Sequence, residues 1–228
     1  MTLSSSTQTP ISRWFVLFLM VVLCVVPTIA GGMRLMQIFS GADITEENAR
    51  FLTAPIPIVL HILSSIIFSV IGILQFSPLR HCSIKVHRMI GYIVWFSGVG
   101  SAFTGLWMTL FYPWYGLDSV GLYVIRLIVG VILSWFLCQA VWSILNRDFR
   151  AHGRWMLRAY VLGMGAGTQV LTHIPFFIFS EYQNELTRTI CMGAGWVINL
   201  MVAEIILSKK QKSLSGALNN VRRINFNK

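Results

Sequence analysis

The sequence predicts an all-α fold, a polytopic transmembrane helical bundle of about six helices. Three observations point there. Hydrophobic residues make up 55% of the 228 positions and charged residues only 11%, whereas soluble domains carry about 25% charged residues. The apolar residues are gathered into six runs of membrane-crossing length. The basic residues concentrate between alternate runs.

The runs cover roughly 14–33, 56–77, 89–112, 120–145, 155–180 and 189–208. A spanning helix needs about 20 mostly apolar residues. None of the runs alternates as a barrel strand would. Hydrocarbon offers the backbone no hydrogen-bond partners, so each run must satisfy itself as a helix. The first run reads as a retained helix, although Pro27-Thr28-Ile29-Ala30-Gly31 loosely resembles a signal-peptide cleavage region. Its removal would leave five spans in the same orientation. In the loop at 34–55, Asp43 or Thr45 is suited to cap a short helix. Tyr112, Pro113, Trp114 and Tyr115 form an aromatic anchor at the water boundary. In the fifth run, Gly163, Gly165 and Gly167 read as close helix packing rather than a phosphate loop. Pro175 should kink or end that helix. Three regions follow: a Ser/Thr-rich segment at 1–13, disordered in its first twelve residues; a transmembrane domain at 14–208; and a basic tail at 209–228, read as a surface helix.

The formal charge of +10 raises the question of nucleic acid, but its distribution answers it. Arg13, Arg80, Lys85, Arg88, Arg147, Arg150, Arg154, Arg158 and the basic tail all fall on one side of the six-span map. The other side holds Arg34, Arg50 and Arg188 among Asp43, Glu46, Glu47, Asp118, Glu181 and Glu185. The Lys/Arg bias makes the basic side cytoplasmic, with both termini there, in a bacterial inner membrane. Anionic lipid headgroups, not nucleic acid, are the partner this predicts. Cys24, Cys82, Cys138 and Cys191 are scattered without a C-x-x-C pair, which supports neither a zinc ribbon nor a disulfide.

Ionisable groups at membrane depth are expensive and therefore functional candidates. Here they are His61, Arg126, His173 and Glu204, with neutral Gln139, Gln169 and Asn199. At about 1.5 Å per residue, His61 lies about 22 Å along its helix from Phe76, and His173 about 22 Å from Arg158. Arg126 lies about 28 Å above Leu145, in the same outer zone. Two imidazoles at one depth on facing helices suit the two axial positions of a haem iron, with Arg126 beside the propionates. Glycines of the third and fifth runs would leave room for a porphyrin; Gly105 is one of them. His87 and His152 both begin helices at the cytoplasmic edge and suggest a second, inner iron site, with Arg88, Arg154 and Glu204 nearby. His61 and His87 are separated by the same 26 positions as Arg126 and His152, an echo of two related hairpins. The competing reading makes each histidine an interhelical hydrogen-bonding group and pairs Glu204 with a basic residue of the inner loops.

The stretches His87-Arg88-Met89-Ile90-Gly91, His152-Gly153-Arg154-Trp155-Met156-Leu157-Arg158, Gly165-Ala166-Gly167-Thr168-Gln169-Val170-Leu171-Thr172-His173 and Gly195-Trp196-Val197-Ile198-Asn199-Leu200 carry a resemblance. Over about residues 55–208 the chain resembles an uncharacterised family of bacterial multi-pass membrane proteins with H-R-x-x-G and H-x-x-W-M-x-R signatures. That likeness implies a multi-pass membrane fold and brings no activity with it. A broader analogy links the chain to four-helix di-haem b-type membrane cytochromes, which usually stack both ligand pairs within the bilayer, whereas His87 and His152 sit at its edge.

Four functions remain open at this level. The first is a haem b electron-transfer protein working with a redox partner, with His61 and His173 on the outer iron. A small-molecule or proton-coupled transporter is the alternative, motivated by Arg126, Gln169, Asn199 and Glu204 beside a broken helix. A metal-dependent membrane enzyme would need about three protein ligands, and no carboxylate lies in the outer half of any span. In an accessory subunit of a membrane complex, the polar groups would join helices.

Overall fold

The computed structural model describes residues 10–76 and 83–226, and among these it contains helices and no strand. Residues 1–9, Lys228, and Arg80, His81 and Cys82 of the basic loop lie outside the described residues. The helices are α1 (Pro10–Phe39), α2 (Ala49–Thr53), α3 (Pro55–Ile66), α4 (Gly72–Phe76), α5 (Ile84–Phe111), α6 (Val120–Leu145), α7 (Phe149–Gly163), α8 (Gly165–Thr172), α9 (Ile174–Ile178) and α10 (Glu185–Phe226). A π turn, Ile67–Ile71, joins α3 to α4 without ending the helical rod.

Among the described residues, five segments are long and apolar enough to cross a membrane: Trp14–Phe39, Pro55–Phe76, Ile84–Phe111, Val120–Leu145 and Glu185–Lys212. Side-chain caps set several starts. Ser83, Ser119 and Asp148 accept the backbone N–H groups of Val86, Leu122 and Ala151, each satisfying a donor the first helical turn leaves free. Pro55 opens α3, where a missing N–H costs nothing.

The fifth run, predicted as one rod over 155–180, is cut into α7, α8 and α9. Pro175 accounts for the second cut, because it offers no N–H to the carbonyl four residues back. The first cut falls at Met164, between two glycines. All three pieces pack against α10. They run antiparallel to α10 through an ordered set of contacts: Arg158 with Glu204, the Val161 carbonyl with Asn199, Gln169 with the Met192 carbonyl, and Thr172 with the Cys191 carbonyl. Asn199 also accepts from the Thr168 hydroxyl at 2.7 Å. A side chain of α10 thus takes up the Val161 carbonyl, which lies four residues before Gly165, at the point where the helix stops. Broken helices persist at membrane depth when neighbours re-satisfy the backbone in this way.

The tail differs from the separate surface helix predicted for 209–228. α10 continues without a break from Glu185 to Phe226. Similarly, the short helix after the 34–45 loop is fixed by Asn48 rather than by Asp43 or Thr45 alone. Its amide accepts the Thr45 N–H and donates to the Asp43 carbonyl, and Asn48 is only 2% exposed.

The core is centred on Phe68 and Tyr160, with Val94, Ala102, Leu137 and Leu162 around them. Phe68 sits in a socket floored by glycines of two helices. A Cβ on Gly98 would come 2.7 Å from its ring, and one on Gly163 would come 2.5 Å from it. Gly165 lies against Trp196, and Gly167 against the backbone of Leu23 on α1. The close-packing reading of this glycine series holds. Large apolar side chains such as Phe15, Phe18, Phe96 and Phe103 point outward, as lipid-facing residues of a multi-pass membrane protein must.

Candidate functional site

Between α1, α3, α5, α6 and α8 lies a cavity of about 480 Å³. Ligand sites of small molecules span roughly 300–1,000 Å³. Its polar wall is supplied by Ser65 and Ser69 from the second span and Ser101 from α5, and by His61 and Arg126. Leu162, Gly163, Met164 and Ala166 bring the cut between α7 and α8 onto the same wall.

His61 is held from α5. Its Nδ1 lies 3.0 Å from the Ser101 carbonyl and 3.1 Å from the Thr104 hydroxyl. A carbonyl can only accept, so the proton resides on Nδ1 and Nε2 is left as the acceptor or ligating nitrogen. Gly105 leaves room for this ring: a Cβ there would stand 3.2 Å from Cε1. Ser65 and Ser101 share a 2.7 Å hydrogen bond one turn further along.

At one end of the cavity, three arginines converge on Asp118. Arg50 Nη1 donates to Oδ2 at 2.7 Å, and Arg126 Nη1 donates to Oδ1 at 3.4 Å. Arg188 Nη1 lies 3.5 Å from Oδ1. The carboxylate side chain is 5% exposed. Burial alone would raise its pKa. The hydrogen bond from Arg50, the Tyr115 N–H and the charges of Arg126 and Arg50 outweigh that and hold the carboxyl below its ordinary value. Arg50 is further fixed by stacking on Phe51, which carries Arg34 at 4.6 Å from its ring centre. The Tyr112 hydroxyl donates to the Ala54 carbonyl at 2.7 Å and closes this end between α3 and α5.

Of the residues predicted to form a site, His61 and Arg126 line this cavity. His173 is not among its lining residues. Its Nδ1 lies 2.7 Å from the Gln169 carbonyl, and its ring packs against Phe176 and Phe177. Gln169, one turn earlier, does line the cavity. His87 and His152 lie in the first turns of α5 and α7. The His87 carbonyl accepts from Gln75, and His152 Nδ1 lies 3.0 Å from the Ala140 carbonyl. Glu204 binds Arg158 through both oxygens, at 2.5 and 2.9 Å. Among the described residues, no group of three His, Cys, Asp or Glu side chains could hold a metal ion.

The Asp118 cluster escaped the sequence reading, which treated Arg50, Arg188 and Asp118 as separate loop charges. A signal was present. The four cations assigned away from the basic side, at positions 34, 50, 126 and 188, are all arginine, while every lysine lies on the basic side. Arginine is the choice for fixed, multidentate ion pairs.

A family profile described as "Predicted membrane protein (DUF2306)" matches residues 58–207, a stretch that contains His61, Asp118, Arg126 and the interrupted span. No curated protein and no solved structure matches the chain significantly.

Proposed function

The chain belongs to the DUF2306 family of predicted membrane proteins, and on that premise we propose that it is a carrier-type membrane protein that binds a small molecule inside its helical bundle. One observation carries this reading. The two irregular segments at membrane depth, the π turn at Ile67–Ile71 and the cut at Met164, both border the polar cavity. π turns and interrupted helices cost backbone hydrogen bonds and are concentrated at functional sites, including the substrate sites of transporters. The basic end, with the charges of 147–158 and 209–212, is the cytoplasmic face of a bacterial inner membrane in this reading. Both termini lie on that face, α1 is retained, and anionic lipids contact the surface. α1 supports its own retention by supplying Cys24, Pro27 and Thr28 to the cavity wall.

Native mass spectrometry of the gently solubilised protein tests the binding. A co-purifying small molecule at one per chain is expected, and it should be lost in Ala166→Trp, which fills the cavity from its wall. A bare chain that also shows no uptake in a proteoliposome substrate screen would end this reading.

A second reading is haem b bound for electron transfer, with His61 as an axial ligand. It is favoured by the fixed Nδ1–H of His61, the arrangement that orients an imidazole toward a metal, and by Arg126 beside the same cavity. His173 would have to reach the iron from outside the lining observed, and the inner pair His87 and His152 would serve a second site. Haem would supply one-electron redox chemistry, and a redox partner would be required. A reduced-minus-oxidised absorption spectrum decides: a haem band lost in His61→Ala supports it, and its absence in protein grown with ample haem removes it.

A further inference from the structure

We propose that the arginine cluster around Asp118 is an oxyanion site, and that the molecule held in the cavity carries a carboxylate or phosphate that docks there. The inference rests on the cavity being a ligand site and assigns the class of that ligand.

Charge is the first argument. Three guanidiniums face one carboxylate, leaving two positive charges without a neutralising partner. Each guanidinium has five N–H donors, while a carboxylate offers about four lone-pair sites. The contacts from Arg126 and Arg188 are long, at 3.4 and 3.5 Å, so neither is committed to Asp118 as a tight pair. Arg50 Nε is buried and has no hydrogen-bond partner. Leaving charged donors buried and unpaired is costly, whereas a second anion would remove that cost.

Position is the second argument. Arg50, Asp118 and Arg126 line the cavity, so the donors are reachable from the space a ligand would fill. The cluster also sits at the N-terminus of α6, whose backbone dipole adds to the positive field. Asp118 acts here as an internal spacer that holds three like charges together without saturating them. Thr109 and Tyr123 line the approach. A molecule with an apolar body along α1 and α3 and an anionic head at Asp118 satisfies both ends.

The anion has two possible sources, a lipid headgroup or a free small molecule. The test uses purified protein in phosphatidylcholine nanodiscs, with binding followed by calorimetry and thermal shift. The probes are inorganic phosphate, octanoate, octanamide and dioctanoyl phosphatidic acid. Binding of phosphate or octanoate, weakened at least tenfold in Arg126→Gln and partly restored in Arg126→Lys, is the expected result and indicates a free solute. Binding confined to phosphatidic acid, with the same dependence on Arg126, supports the site and indicates a lipid. Arg188→Gln, on α10 rather than α6, gives a second reading should Arg126→Gln fail to fold. Octanamide binding as tightly as octanoate would overturn the oxyanion assignment while leaving the cavity reading intact. Failure of every anionic probe to bind, in folded protein stripped of its co-purifying molecule and able to take it up again, would do the same.

Discussion

Tyr160 on α7 donates its hydroxyl to the carbonyl of Ser69 at 2.6 Å, tying the π turn of the second span to the helix that stops four residues later at Met164. Tyr160 is fully buried, and its ring lies against Phe68, Phe76 and Gly72. The two irregularities are therefore joined by one side chain.

Tyr160→Phe keeps the ring and removes the donor to the Ser69 carbonyl. Losing one intramolecular hydrogen bond costs about 0.5–1.5 kcal/mol. Chemical unfolding in detergent should show a loss of that size. A midpoint equal to the parent's would mean that the hydrogen bond does not hold the turn.

Gly163→Ala should destabilise the protein by about 1–3 kcal/mol through overpacking against Phe68. The test is a double-mutant cycle. Phe68→Leu should recover part of the loss, because it withdraws the ring atoms the new methyl meets. Strict additivity of the two substitutions would show that they do not meet.

Asp118 makes stability depend on acid. Its carboxyl is held below its ordinary value, about 3.9 in an unfolded chain. Its contribution is fully present above that value and is lost as pH falls through the lower folded-state value. Asp118→Asn should be less stable than the parent at neutral pH and should lose less on acidification. Parallel acid limbs for the two proteins would count against it.

Asn199→Leu removes the side chain that donates to the Val161 carbonyl and accepts from Thr168. Interhelical hydrogen bonds in membranes average about 0.6 kcal/mol and reach about 1.7. A loss near the upper figure is expected, since one amide serves two partners. Thr168→Ala, which leaves the Val161 contact in place, should cost less.

Much of this architecture is written in apolar run length. The span at 120–145 coincides with α6 end to end, and those at 56–77 and 89–112 shift by only a few residues. Arg158 proves to be the partner that the sequence left unnamed for Glu204. Pro175 announces the second interruption because its chemistry is local. Other features depend on neighbours distant in sequence. Nothing in Ile67-Phe68-Ser69-Val70-Ile71 separates a π turn from an α-helix; the Tyr160 hydroxyl, 91 positions away, stabilises it. Depth counting placed His61, His173 and Arg126 at one level, but it assumed an unbroken rod. α8 ends at Thr172, so Gln169 lies on the cavity wall while His173, one turn on at the interruption, does not line it. The Asp118 cluster joins four segments through side chains alone, and no periodicity records that.

One wall of the cavity is built from a segment only eight residues long, Gly165–Thr172, clipped at each end by an interruption. A continuous rod is held in place by its own length, whereas a piece cut at both ends depends on its side contacts, here the hydrogen bonds of Thr168, Gln169 and Thr172 to α10. Removing one of them, as in Asn199→Leu, should therefore speed deuterium exchange of the Gly165–Thr172 amides more than that of the amides in α6.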